Sequence, residues 1–574
     1  MVPDASDLEA VMRYHERTKH HFNRFAPGPG ELDWANQPDP FRRYAGAVLT
    51  RLPVLGPEEE PVSPAYESLY ARGADLHVRG AVPGAPVNLR TLSRLLEYAL
   101  ALSAWKQAGG TRWALRVNPS SGNLHPTEGY VLIGGIAELG ETPGLFHYAP
   151  REHGLERRAD CPDALLARLL RGFPPQVFLL GLASVYWREA WKYGERAFRY
   201  CQHDVGHALG AVRNAAAVLG WSARLLEAPG DDDVSALLGL DRGTDFAAVD
   251  PAEREHPDAL VVVTSGAGID QAARRVEGAL ELLREALGGG RWAGTPNALS
   301  PDHVEWPAIV DVTTATAKPR TPSRDPPPPD ADAPPPATPS VERPGDARLA
   351  VRLIRARRSA VAMDGATGLT ASAFFAMLDR LIPRPGVPPW DVLPWAPRVH
   401  PVLFVHRVDG VAPGLYVLER SPGAHTALRE TLRPSFAWER PAGCPEGLRL
   451  FQLEKGDARP LARSASCHQE IASDSAFAAA MLADLGPALD GGPWWYRRLH
   501  WEAGLLGQVL YLEAEAAGVR ATGIGCFFDD VVHDTLSLAD GRFRDLYHFT
   551  VGGAVEDRRL TTRSGYGDPV TRRA

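Results

Sequence analysis

The stretch RVNPSSGNLHPTEGYVLIGG, residues 116–135, has the parts of a ligand-contacting turn. Pro119 and Gly122 shape the backbone, while Ser120, Ser121 and Asn123 offer hydroxyl and carboxamide donors and acceptors. An apolar run follows and would anchor the turn as a strand. An ordinary polar turn ahead of a strand has the same composition. Further on, RLIRARRSAVAMDG sets Arg357, Arg358 and Ser359 side by side. Two guanidinium forks and a hydroxyl suit a phosphate, although a solvated basic helix start reads the same way. HDVGH spaces His203 and His207 four apart on one helix face, superficially like a zinc-binding pair. The acidic residue between them is Asp rather than Glu and no third ligand follows, so helix packing is the reading adopted and no metal is expected. Cys467 and His468 are adjacent in SCHQEIASD, which points to a pocket or interface lining.

Positioning such groups takes a large fold. The chain has 574 residues, enough for two to four domains with full cores. With 44% hydrophobic and 23% charged residues it has the composition of a soluble globular protein. Its net charge of −8 argues against general nucleic-acid binding, since no basic face dominates. Five scattered cysteines without a CxxC pair indicate reduced thiols and a cytoplasmic setting. The charged N-terminus lacks a signal-peptide core, and the longest apolar run, residues 177–187, is too short to span a bilayer, so no membrane association is expected.

Residues 317–345 contain eleven prolines, which makes this stretch an extended linker and the main boundary. The expected layout is an N-terminal wrapping extension (1–62), a first unit (63–300), a Pro-rich linker (301–346), a second unit (347–560) and a C-terminal tail (561–574). The two units look like copies. Placed without gaps from His203 and Trp501, Gly206 falls on Gly504, Gly220 on Gly518, Asp231 on Asp529 and Leu238 on Leu536. Each copy reads as a long helix ended by glycine, then a reversing loop and a short second helix. GLFHYAP at 144–150 and GLYVLER at 414–420 also correspond, each after a strand-like run. The pattern is α+β, with the duplication forming an intrachain pseudo-dimer.

Taken together, RRS at 357–359, NPSSGNLHP at 118–126, GLFHY at 144–148, KYGERAFRYCQHDVGH at 192–207 and ATGIGCFFDD at 521–530 resemble the nitroreductase superfamily, in particular its SagB/ThcOx-type dehydrogenase branch. The resemblance implies two tandem nitroreductase-like domains with FMN bound at their interface. It assigns the cofactor to Arg357, Arg358, Ser359, Pro119, Ser120, Ser121, Asn123, Gly523, Ile524 and Gly525, with a second basic pair at Arg558 and Arg559. The losses are complementary: the first half reads ARGADLHVRG where RRS would stand, and the second reads DVLPWAPRVHP where the Ser loop would stand. One composite site and one flavin per chain follow.

In azoline-oxidising members of that branch a Lys-Tyr pair supports dehydrogenation, which assigns the catalytic role here to Lys192 and Tyr193. Removing a ring proton as hydride leaves needs such a base. The second half offers Asp490 and Gly491 at the equivalent positions. The expected function is an FMN-dependent oxidoreductase that dehydrogenates an azoline or similar ring in a modified peptide or small molecule, with oxygen reoxidising the flavin. An NAD(P)H-dependent nitro- or quinone-type reductase and a non-catalytic partner-binding scaffold are the alternatives. The Trp-rich GGPWWYRRLHW, residues 491–501, would either line the substrate pocket or fill the abandoned site.

Overall fold

Two runs of wholly or almost wholly buried apolar residues, Val177–Val185 and Phe477–Asp484, form the central strands of two sheets. The computed structural model describes residues 5–54, 63–70, 82–161, 177–323, 349–538 and 541–567. In the first half the strands are β1 (Thr127–Ile133), β2 (Gly144–Ala149), β3 (Gly154–Asp160), β4 (Val177–Val185), β5 (Ser222–Leu225) and β6 (Glu255–Thr264). They are antiparallel and lie in the order β3-β2-β1-β4-β6-β5. In the second half β7 (Val399–Val405), β8 (Gly414–Leu418), β9 (Leu450–Lys455), β10 (Phe477–Asp484), β11 (Arg520–Ile524) and β12 (Phe543–Gly552) lie in the order β9-β8-β7-β10-β12-β11. The two paths are the same, so the α+β duplication read from sequence is the architecture of the molecule.

Six helices bear on the site: α1 (Tyr186–Tyr193), α2 (Ala197–Val218), α3 (Asp231–Leu238), α4 (Ala350–Ala356), α5 (Trp495–Ala517) and α6 (Asp529–Leu536). The long helices α2 and α5 cross between the halves and contribute to one shared core. Each sheet carries a separate cluster on its outer face. Every residue of α2 is buried, so its polar side chains must find partners inside the protein. The crossing is made by glycine. A Cβ on Gly206 would stand 2.1 Å from the Trp501 carbonyl oxygen, and one on Gly504 2.1 Å from that of His203. These are the two glycines that the ungapped offset superposes. The helices stop where glycine allows it, with Gly220 at φ 66° and Gly518 at φ 75°.

The same offset relates two ion pairs across the interface. Arg199 Nη1 donates to Asp529 Oδ1 at 2.7 Å, and Arg497 Nη2 donates to Asp231 Oδ1 at 2.7 Å. Each aspartate opens its helix, α6 or α3, where the helix dipole favours a negative charge.

Both ends of the chain are woven in. The N-terminal helix Ala5–Arg17 leads to Lys19, whose Nζ meets Asp530 at 2.9 Å, and His20, whose backbone N–H donates to Asp529. The C-terminal strand Thr561–Ser564 pairs with Leu102–Ala108 of the first half, and the Tyr566 hydroxyl donates to the Pro150 carbonyl at 2.7 Å. The expected linker begins inside the fold rather than extended in solvent. Pro307–Ala315 is a helix, and buried Lys318 donates to the carbonyls of Pro229 and Pro319 and to Thr321 Oγ1 at 2.9–3.0 Å. An ammonium has three donors to place once it leaves water, and these two carbonyls and the hydroxyl take them. The remainder of the Pro-rich stretch, 324–348, and the segment 71–81 with all of ARGADLHVRG lie outside the described residues.

Candidate active site between the two halves

The Ser loop joins the hairpin strand Thr111–Arg116 to β1. Gly122 (φ 57°) turns it back so tightly that a Cβ there would lie 2.6 Å from the Tyr193 hydroxyl. Asn123 and His125 share this left-handed backbone, at φ 61° and 56°. The polar groups of the loop hold its own shape. Ser120 Oγ accepts from the His125 N–H at 2.7 Å, and Asn123 Nδ2 donates to the Ala114 carbonyl at 2.8 Å. Ser121 donates to Asp204 from its backbone N–H at 3.1 Å and from its hydroxyl at 3.3 Å. Asp204 on α2 and Glu189 on α1 form a buried carboxyl pair beneath the loop, with Ser120 Oγ 3.4 Å from Glu189 Oε1. Burial pushes both carboxyls above their usual range.

From the other half, Arg357 reaches this loop from the C-terminal end of α4. Its Nε donates to the Val117 carbonyl at 3.1 Å and its Nη2 to that of Arg116 at 2.9 Å, the two carbonyls that lead into the loop. Its guanidinium lies 4.9 Å from the centre of the Tyr511 ring. Arg358 turns back on its own segment, donating to the carbonyls of Arg355 and Arg357 at 2.8 and 2.6 Å. Ser359 Oγ shares a 2.8 Å hydrogen bond with the Tyr511 hydroxyl, which accepts the Gly523 N–H at 3.2 Å. That chain ties the Arg-Arg-Ser segment to α5 and β11.

Glycine again sets the approach on β11. A Cβ on Gly523 would stand 1.9 Å from the Tyr547 hydroxyl, and one on Gly525 2.4 Å from the Tyr200 ring. The Gly525 carbonyl accepts from Arg196, and Ile524 packs into the outer core of the second half. Tyr193 meets Tyr200 edge-on, with ring centres 4.6 Å apart. Lys192, half-buried in the last turn of α1, holds its Nζ 5.2 Å from the centre of the Tyr193 ring. Burial, then the neighbouring Glu189 carboxyl, pushes the Tyr193 phenol well up, so it stands as a proton donor rather than a ready base. Arg558 and Arg559 are exposed beyond β12, where Arg559 pairs with Asp557 at 2.8 Å. Among the described residues no contact joins them to Arg357.

A crystal structure of a protein named as a nitroreductase, from Anabaena variabilis, superposes over 95% of this chain and 99% of its own, with a TM-score of 0.64 and 22% identity. The fold is that of the nitroreductases. A Methanocaldococcus jannaschii protein also named as a nitroreductase is 28% identical over 161 residues, 27% of this chain and 76% of that protein. No family model matches the chain.

Across the pseudo-twofold axis the equivalent positions carry bulkier side chains. By the offset that pairs the glycines, Gly523 and Gly525 are replaced by Leu225 and Glu227, and Arg196, Tyr200 and His203 by Trp494, Arg498 and Trp501. Arg498 Nη1 lies 3.5 Å from Glu227, and Leu225, Trp494, Arg497, Trp501 and Lys318 close around a residual cavity of about 20 Å³. That is room for about one water. The Trp-rich segment therefore lies at the positions equivalent to the candidate site, where Trp495 also lines an open cavity with Trp395 and Glu227.

His203 and His207 lie between α2 and α5. The His203 ring stacks on Tyr547 at 4.1 Å, and His207 Nε2 is 3.2 Å from the Tyr547 hydroxyl. Burial keeps both rings neutral, and among the described residues no cluster of His, Cys, Asp and Glu is arranged to hold a metal.

The surviving site fits a flat heteroaromatic cofactor with an anionic tail. Arg357 Nη1 and Asn118 Oδ1 are buried without a hydrogen-bond partner among the described residues. Buried polar atoms left over in this way call for a ligand or water. Tyr193, Tyr200, Tyr511 and Tyr547 supply aromatic surface beside them. Glu189, Asp204 and the last three of these tyrosines escaped the sequence reading. Asp204 stands inside the HDVGH motif, where attention went to the histidines; the tyrosines carry no local signal.

Proposed function

We propose that this chain is an FMN-dependent oxidoreductase with one flavin between its halves, acting as a SagB-type dehydrogenase on an azoline or similar ring of a modified peptide or small molecule. The observation that carries the reading is the grip of Arg357 on the carbonyls of Arg116 and Val117. It joins the Arg-Arg-Ser segment of one half to the Ser loop of the other, a cross-half contact built from the two motifs that each half keeps alone. Arg357 and Ser359 would hold the cofactor with the Gly523–Gly525 backbone, and Ser120, Ser121 and Asn123 would keep the facing loop in shape. Bound there, the flavin supplies the two-electron acceptor that no side chain can provide.

The chain's own part is proton handling and exclusion of water. Lys192 Nζ, beside the Tyr193 ring, would take the substrate proton. Tyr193 donates a hydrogen bond, and the Glu189–Asp204 pair below stores a proton rather than a charge. No described helix is long and apolar enough to cross a membrane. A cytoplasmic location agrees with that and with the free cysteines.

The name of the M. jannaschii relative favours a second reading, an NAD(P)H-dependent nitro- or quinone-type reductase. Purified protein is expected to be yellow with one FMN per chain, and protein that stays colourless after FMN is added overturns both enzymatic readings in favour of a scaffold. Rapid anaerobic bleaching by NAD(P)H selects the reductase. Lys192→Ala is expected to abolish azoline oxidation while the flavin stays bound, and unchanged turnover removes its assigned role.

A further inference from the structure

Beside the composite site, Cys467 and Cys526 bring two thiols together from loops that are distant in sequence. Their sulfurs share a hydrogen bond at 2.9 Å, both side chains are partly exposed, and both cysteines are free. Cys526 directly follows Gly525, and Gln469 Nε2 donates to its carbonyl at 2.9 Å. Cys467 and His468 are held at φ 52° and 58°, two consecutive side-chain-bearing residues in the left-handed region. Such backbone is disfavoured for residues with a side chain and persists where the surroundings hold it. Here it aims Cys467 at Cys526.

The His20 ring, brought in by the N-terminal segment, hydrogen-bonds the Cys526 thiol. Its Nδ1 accepts the Ala26 N–H at 2.9 Å, which leaves Nε2 to carry the ring proton. The rim is open: Phe22 and Phe25, 61% and 55% exposed, lie against Phe528.

We propose that Cys467 and Cys526 are a redox-active dithiol that a peroxide converts reversibly to a disulfide, clamping the Gly523–Cys526 segment onto the 466–469 loop. His20 hydrogen-bonds the Cys526 sulfur and favours its thiolate, so Cys526 is the attacking sulfur and Cys467 the resolving one. The Cys526 thiolate attacks a peroxide oxygen; an S–O bond forms, the O–O bond breaks, and the hydroxide released takes up the Cys526 proton as water. The Cys467 sulfur then attacks the Cys526 sulfur; the S–S bond forms, the S–O bond breaks, and the second oxygen leaves as water with the Cys467 proton. Two thiols lose two electrons and one hydrogen peroxide becomes two waters. An external thiol reverses the change by exchange, itself ending as a disulfide.

The test uses the full chain, reduced, desalted, treated with one equivalent of hydrogen peroxide, alkylated under denaturing conditions and mapped by mass spectrometry. A Cys467–Cys526 linked peptide is expected in most chains, with two of the five thiols lost and both recovered after dithiothreitol. Cys467→Ser is expected to remove the linked peptide and leave Cys526 as a sulfenic acid trapped by dimedone. Absence of the linked peptide from the unmodified protein, or oxidation spread evenly over all five cysteines, overturns the proposal. The readout is covalent and needs no flavin, so it stands apart from the cofactor reading.

Discussion

Arg199 of the first half binds Asp529 of the second at 2.7 Å, and the residues at the equivalent positions, Arg497 and Asp231, make the same bond in the opposite direction. The interface thus carries a twofold pairing although the motifs of the two halves differ. The pairs are not equal in burial. Asp529 is fully buried and also accepts from Arg196 at 3.0 Å, whereas the Asp231 side chain is 16% exposed. Asp529→Asn leaves two buried guanidiniums without a counter-charge and is expected to cost about 3–5 kcal/mol. Asp231→Asn is expected to cost less. Denaturant unfolding followed by tryptophan fluorescence ranks them, and a reversed order refutes this account.

The helix crossing gives a steric prediction. Gly206→Ala and Gly504→Ala each drive a methyl group into a backbone carbonyl at 2.1 Å, where no rotamer can relieve it. A loss of about 3 kcal/mol is expected from such overpacking. Gly210→Ala meets side chains rather than backbone, Gln508 at 3.0 Å and Leu505 at 3.5 Å, and is expected to lose much less. Thermal midpoints of the three variants make the comparison.

Glu189 and Asp204 predict a pH dependence. Their folded pKa values are raised by burial, whereas in the unfolded chain they ionise near pH 4. As pH climbs, the unfolded state loses these protons first. Their contribution is therefore full below about pH 4 and falls as pH rises through the folded titration. Glu189→Gln is expected to flatten the decline of the melting temperature between about pH 5 and 8. The buried histidines act with the opposite sign. His207 and His500, lowered to about 3, take stability away as pH falls below their ordinary range, so the difference between variant and parent is the quantity to read.

Tyr511 is the hinge of the hydroxyl chain from Ser359 to Gly523. Tyr511→Phe removes both bonds while keeping the ring under Arg357, and a stability loss of about 1–2 kcal/mol is expected. Retained FMN per chain, measured after dialysis, is expected to fall by more than that stability loss explains. Unchanged retention separates Tyr511 from the cofactor.

Much of this was legible in the chain itself. The duplication, the ungapped register of Gly206 on Gly504 and Asp231 on Asp529, the helix ends at Gly220 and Gly518, and the strand after the Ser loop all rest on local spacing and glycine conformation. Those are properties of short segments and survive without knowledge of the fold. The partners were not legible. Arg357 spends its donors on the carbonyls of Arg116 and Val117, and a backbone carbonyl has no sequence signature. Lys318 looked like part of a solvated Pro-rich linker and is buried against the start of α3. Arg497 and Arg498 stand in a Trp-rich segment that carried no sign of its partners, and they meet Asp231 and Glu227. The sequence by itself determined the repeated units and their asymmetric motifs; the tertiary structure alone decided which buried charge meets which, because that choice is made where two folded surfaces close and water leaves.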